Sequence, residues 1–318
     1  MTESQMLFQT TATLLLLGLL THLPSLYDRL GRAGFVALAL GATIPLADIP
    51  LNLMLSSDRI DYLAKPAFFS GFFFGFLLIA ALSTWFAFWR DFQSGGRVFV
   101  LLSGGYLVRQ TLALLTSDGI TPFAPISGMT VSLPILPSMH LPLIILLLLV
   151  IVILEIKPFW HKPLLIGATL LAGAYLLAGV SQYTWFRIQA DSRAEAGELI
   201  SVAPADPWMA RWLVTATSDQ RYRSWIHGVD MGPLSDAEEL AKWQDEAMLI
   251  QLLGDPTVHR FFFHKFQHPV ARSEFKDNRL VLTIRELVNM LRGEPGPTFT
   301  LELEQPELSR TYRVAHFD

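Results

Sequence analysis

The chain has 318 residues, 52% of them hydrophobic and only 16% charged, with a mean hydropathy of +0.40. Soluble domains usually carry about 25% charged residues, so a purely soluble globule is excluded. A net charge of −4 argues against a general polyanion binder, nucleic acid included. Cysteine is absent, which excludes disulfides and thiolate metal sites.

The charge is unevenly spread. Residues 1–186 hold nearly all the long apolar runs, and residues 187–318 hold most of the charge. The expectation is an α-helical polytopic membrane domain over 1–186 and a small soluble α+β domain over 187–318. The opening MTESQMLFQTTATLLLLGLLTHL has no basic n-region, carries Glu3 and lacks a small-x-small cleavage site. It reads as a retained membrane segment and not as a signal peptide.

Six apolar stretches follow one another: Met6–Leu23, Gly34–Leu55, Ala67–Trp89, Val98–Thr116, Leu141–Ile156 and Leu164–Phe186. Each approaches the roughly 20 residues that a crossing helix needs. The second holds an acid, Asp48, between Pro45 and Pro50. Two readings are open. Ile44–Asn52 is a polar break lining an internal pocket, because an ionisable group at membrane depth faces protein or water. Alternatively, Asp48 lies just past the membrane surface as a helix cap.

Basic residues orient the stretches. Arg29 and Arg32 lie in the first loop, Arg90 and Arg97 in the third, and Lys157 and Lys162 in the fifth. The second loop carries Arg59 and Lys65, and the fourth, Ser117–His140, carries none. The positive-inside rule then puts the odd loops in the cytoplasm. With six crossings the soluble domain is extracytoplasmic. The fourth loop is rich in proline and glycine and nearly uncharged, so it reads as a lid or re-entrant segment.

Beyond Arg187 the pattern alternates. ARWLVTAT and RYRSWIHGV form a hairpin around a Ser-Asp-Gln turn. Ser235–Leu253 reads as a helix, opened by the capping box of Ser235 and Glu238 and closed by Gly254. VHRFFFHKF, NRLVLTIREL, TFTLELE and RTYRVAHF read as strands, the second following an Asp-Asn turn. One helix on an antiparallel sheet results. His259, His264 and His268 invite a metal reading, but no cysteine or clustered acid accompanies them. The plainer reading is an aromatic sheet face with half-exposed histidines; alternatively, the FFFHKF run is a surface that rests on the membrane or on the transmembrane body. No Gly-x-Ser-x-Gly, phosphate loop or dinucleotide fingerprint is present.

Two pieces, GATIPLAD at Gly41–Asp48 and GYLVRQTLALLTSDGITPFAP at Gly105–Pro125, resemble the YdjM-like family of bacterial inner-membrane metal-dependent hydrolases. The family pattern opens with Asp-x-x-Thr-His, then ends its next helix in Pro-Asp-x-Asp. His-Arg-Gly-x-Thr-His-Ser follows, then a Gly-Tyr-Leu-x-His-x-x-x-Asp helix running into Leu-Thr-x-x-Gly. The order and spacing are kept here, and the C-terminal half also resembles that of longer members. The resemblance implies an inner-membrane, multi-pass protein and a divalent metal cofactor.

The departures fall on the ligands. Thr10 is kept, but the first acid and histidine positions hold Leu7 and Thr11. Pro45 and Asp48 are kept, with Leu46 in place of the other acid. Tyr62–Ser70 keeps only Ser70, and Arg109 and Ala113 replace the last histidine and acid. Gly105, Tyr106, Leu107, Leu115, Thr116 and Gly119 remain. The pocket candidates are thus Asp48, Ser70 and Arg109, with Arg109 placed to pair with Asp48. A reduced metal site would draw on Asp48, His22 and His140, with Asp28 and Asp118 nearby in sequence. The bland alternative leaves His22 and His140 at span ends, and Lys65 and Asp118 as loop residues.

Three functions compete. One is a membrane-embedded binding or scaffold protein with an eroded metal site, a pseudoenzyme whose C-terminal domain contacts a protein partner. Another is an active metal-dependent hydrolase acting on a lipid-like or phosphoester substrate in the bilayer. A transporter is third, since broken helices with a midplane acid occur there too, but no internal repeat is visible.

Overall fold

The computed structural model describes residues 3–20, 24–55, 68–89, 92–116, 119–124, 126, 131–137, 141–156, 161–195, 197–218, 221–228, 238–241, 269–276, 279–287, 298–304 and 313–317. It divides into two units. The first comprises Met1–Leu55, Pro66–Phe186 and Ala203–Trp212; the second comprises Ser56–Lys65, Arg187–Val202 and Leu213–Asp318.

The first unit is helical. Its helices are α1 (Glu3–Leu20), α2 (Pro24–Thr43), α3 (Asp48–Leu55), α4 (Phe72–Trp89), α5 (Phe92–Leu114), α6 (Leu141–Ile156) and α7 (His161–Arg193). A 3-10 turn, Ile44–Ala47, separates α2 from α3. Pro45 falls at the start of that turn and Pro50 in the first turn of α3. In a first turn the missing N–H of proline leaves no bond unmade. The break at Asp48 is therefore compatible with both prolines.

All six apolar stretches contain helix, but six crossings are not supported. Among the described residues three helical segments are long and apolar enough to cross a membrane: Leu30–Leu55, Phe72–Trp89 and Pro163–Arg193. Leu7–Leu20 and Leu141–Leu154 are apolar but short. The remaining helix, α5, carries Arg97, Arg109, Gln110 and several glycines and serines, which lower its hydropathy. Only 17% of the apolar window of α4 and 11% of that of α7 are buried, so most of both surfaces faces outward.

At the centre is α5, which packs against α1, α2 and α4. Its approach to α2 is backbone against backbone. A Cβ on Gly41 would overlap Leu102, and one on Gly105 would overlap the Leu38 carbonyl. Small residues at helix contacts are the usual means of close approach where lipid removes the hydrophobic drive. Ile44, Ile79, Leu102 and Tyr106 form the core between the 3-10 turn, α4 and α5. A second cluster, Leu19, Leu147, Val150, Leu154 and Ala168, joins α1, α6 and α7.

The segment after α5 folds back on α5 and on the start of α4. Ile120 and Val131 exchange both backbone hydrogen bonds, at 2.9 and 2.8 Å. Leu133 and Leu136 donate to the carbonyls of Leu114 and Leu115. Phe72 donates to Pro122 at 3.0 Å, tying the fold-back to the start of α4.

The second unit is built from two four-stranded sheets. One has the order β1 (Leu199–Pro204), β2 (Arg211–Thr217), β3 (Arg221–Gly228), β4 (Glu238–Ala241). The other has β5 (Pro269–Lys276), β6 (Arg279–Glu286), β7 (Thr298–Glu304), β8 (Arg313–Phe317), paired antiparallel in sequence order. Tyr222, Val270 and Leu287 pack together between the sheets. The predicted hairpin is β2 and β3, and three predicted strands are β6, β7 and β8. The predicted helix at Ser235–Leu253 is corrected within its described part. Glu238–Ala241 is β4, paired antiparallel with β3 from Ser224↔Glu238 to Arg221↔Ala241. The open edge of β3 supplies a ladder that outweighs the local capping signal. The strand expected at VHRFFFHKF, with His259, His264 and His268, lies outside the described residues.

Candidate functional site

The site is assembled around the non-helical turn Phe68–Gly71, which precedes α4. Asp48, the first residue of α3, is 3% exposed. Its Oδ1 accepts from the N–H groups of Phe68 and Phe69, both at 2.7 Å. Its Oδ2 accepts from the N–H of Ser70 at 2.9 Å and from the Ser70 hydroxyl at 2.8 Å. Successive N–H groups converging on one anion form a nest. Here the anion is the chain's own carboxylate.

The carbonyls of the turn are held from the other side by α5. The Tyr106 hydroxyl lies 3.1 Å from the Phe69 carbonyl and 3.0 Å from that of Gly71. Gln110 Nε2 donates to the Ser70 carbonyl at 3.0 Å. Tyr106 and Gln110 stand one helical turn apart and so share a face. Room for this clamp comes from two glycines. A Cβ on Gly75 would overlap the Tyr106 hydroxyl, and one on Gly71 would overlap the Ala124 carbonyl of the fold-back. Broken backbone away from water needs such partners, since each unmet polar group costs several kcal/mol in lipid.

Of the predicted pocket residues, Asp48 and Ser70 are in direct contact. The predicted Asp48–Arg109 pairing is corrected. Arg109 is 1% exposed on α5, yet the donors that hold Asp48 are Phe68, Phe69 and Ser70. The turn Phe68–Ser70 wraps around the carboxylate and presents its N–H groups to both oxygens. Both open readings of Asp48 are thereby refined. The acid is internal, as the pocket reading requires, and it caps backbone, but of the turn before α4 and not of its own helix.

His22 and His140, the predicted metal candidates beside Asp48, lie outside the described residues, as does Asp118. Among the described residues no group of three His, Asp or Glu converges. Asp48 itself is a poor fit to a divalent ion. An ionised carboxylate offers about four lone-pair sites, and four hydrogen bonds occupy them. A cation would have to displace donors whose hydrogens already point at both oxygens.

Thr10, Pro45, Tyr106 and Thr116 are buried, as are Arg109 and Ala113, whereas Leu107 on α5 is exposed. Leu7 is 52% exposed and Thr11 is exposed, so the substituted positions of α1 point outward. The inward face of α1 carries Gln9 and Thr13, both fully buried, and Gln9 Nε2 reaches Thr116 Oγ1 at 3.4 Å. Gln9, Thr13 and Gln110 were not singled out by sequence. Their signal was polar residues recurring on one face of apolar helices.

A second withdrawn carboxylate lies in the sheet unit. The Glu198 side chain is 3% exposed. Arg223 Nε donates to its Oε1 at 3.0 Å, and Arg223 Nη2 to its Oε2. Glu195 completes the cluster, bridging Arg221 and Arg223 at 3.0 Å each. The Arg223 hydrogen bond, more than any other influence, holds the Glu198 carboxyl below the usual range. Compared with known proteins, the chain matches no family model, no characterised protein and no solved structure.

Proposed function

We propose that the chain is a multi-pass protein of the bacterial inner membrane, related to the YdjM-like hydrolases, that acts as a binding or scaffold component. In this reading the acid that holds metal in the family has become the acceptor that holds a broken backbone segment. The single observation in its support is the saturation of Asp48 by four donors. A hydrolytic ion needs several ligands and an open position for water, and this carboxylate has neither a lone pair nor an opening to spare. In this reading the sheet unit contacts the protein partner.

The test is metal analysis of the detergent-purified protein after exposure to zinc, manganese and magnesium in turn. The expected result is no stoichiometric ion. One divalent ion per chain, lost in Asp48→Asn, would overturn the proposal and restore hydrolysis of a lipid-like or phosphoester substrate as the leading function.

A further inference from the structure

The fold-back after α5 presents a surface that the clamp does not use. Residues 119–137 contain no Asp, Glu, Lys or Arg. Phe123, Ile126, Val131 and Leu133 are exposed, Ile126 at 83%. Ala124, Ile135 and Leu136 are buried. The segment thus has an inner side and an apolar outer side.

Two helices fix its height. It is bonded through Pro122 to Phe72, the first residue of the candidate span α4. It also meets α7 at Gly179, where a Cβ would overlap the Ile135 carbonyl. The candidate span of α7 starts at Pro163, and a helix rises about 24 Å from there to Gly179. The length of α4 is about 26 Å by the same rise. A hydrocarbon core is about 30 Å thick. Both helices therefore bring the fold-back to one boundary of the slab. Phe73, beside the bonded Phe72, is itself 61% exposed.

We propose that this segment is an interfacial anchor, with Phe123 and Ile126 seated between lipid headgroups and acyl chains. Bilayer lipid is the partner. An uncharged apolar surface at that depth loses nothing by leaving water, whereas a solvent loop would carry charge. The proposal rests on the membrane reading of α4 and α7.

The absence of cysteine allows a clean test. Single-cysteine variants Ile126→Cys, Leu77→Cys and Ser192→Cys are spin-labelled and placed in vesicles of phosphatidylcholine and phosphatidylglycerol. Collisional relaxation by oxygen and by a water-soluble nickel chelate is then compared. The Ile126 label is expected to side with the Leu77 label, with nickel accessibility several-fold below that at Ser192. Nickel accessibility equal to that at Ser192, with Leu77 still shielded, overturns the anchor and leaves the membrane reading intact. A label at Ile126 shielded from both reagents also overturns it, since protein then covers the site. Nickel access at Leu77 as well overturns the anchor together with the membrane reading.

Discussion

Asp48 and Glu198 are both carboxylates withdrawn from solvent, and they are held by different means. Asp48 takes three backbone N–H groups and one hydroxyl, all neutral. Glu198 takes a guanidinium and a single backbone N–H, that of Glu195 at 2.9 Å, with Arg221 close by. The neutral solution orders backbone: one side chain fixes three residues of a turn. The charged solution chiefly joins side chains. Asp48 is therefore architectural, while Glu198 is mainly an electrostatic fastener.

The comparison breaks most severely at Asp48. Asp48→Asn replaces one acceptor oxygen by an NH2 group that faces the Ser70 donors. Two donors at that oxygen lose their partner, at about 1–3 kcal/mol each, so a loss of about 4 kcal/mol is expected. Thermal unfolding in detergent measures it. A change below about 1 kcal/mol would show that the nest is ornamental. Next in size is the opposite side of the clamp. Tyr106→Phe removes the donor from two carbonyls and should cost about 1–3 kcal/mol. Gly75→Ala, which fills the space of the same hydroxyl, should cost about as much. Equal stability of both variants with the wild type would detach Tyr106 from the turn.

The charged fastener comes last, with an effect no larger than that of Tyr106→Phe, and its contribution changes with pH. Arg223→Met leaves Glu198 without its guanidinium partner. Arg223 is 21% exposed at its side chain, so the cost is discounted from that of a fully buried pair to about 2 kcal/mol. The sign follows from the depressed Glu198 carboxyl. The unfolded chain binds the proton more readily, so the stabilisation is complete above the ordinary glutamate pKa of 4.5 and is lost as pH falls through the folded value. The difference between wild type and Arg223→Met should thus narrow on acidification, as read from unfolding midpoints across pH. A gap independent of pH would remove the ion pair from the account.

What the sequence made legible divides along the same line. Apolar length located the helices of the first unit among the described residues, and alternation located β2, β3, β6, β7 and β8, because both report burial along a single segment. Asp48 was found because it interrupts an apolar span, and Ser70 only through the resemblance of its segment to a family motif. The bond between them was not legible. It depends on how α3, the turn and α5 converge, and local pattern carries no such information. Arg109 was assigned to Asp48 by opposite charge alone, whereas the neutral turn lay closer. The capping box at Ser235 failed for a related reason: it is a local preference, and the free edge of β3 is a long-range one. β5 was missed although the Asp-Asn turn predicted for β6 required a strand on its other side, from Pro269 to Lys276.

The contact of α2 with α5 has a consequence of its own. Gly41 and Gly105 bring carbonyl and Cα–H groups of the two helices together. Attraction of that kind comes from dispersion and weak dipolar contact, not from expelled water. Cooling weakens hydrophobic stabilisation and so has little hold on this pair. The two-helix seam is consequently a natural place for assembly in the bilayer to begin.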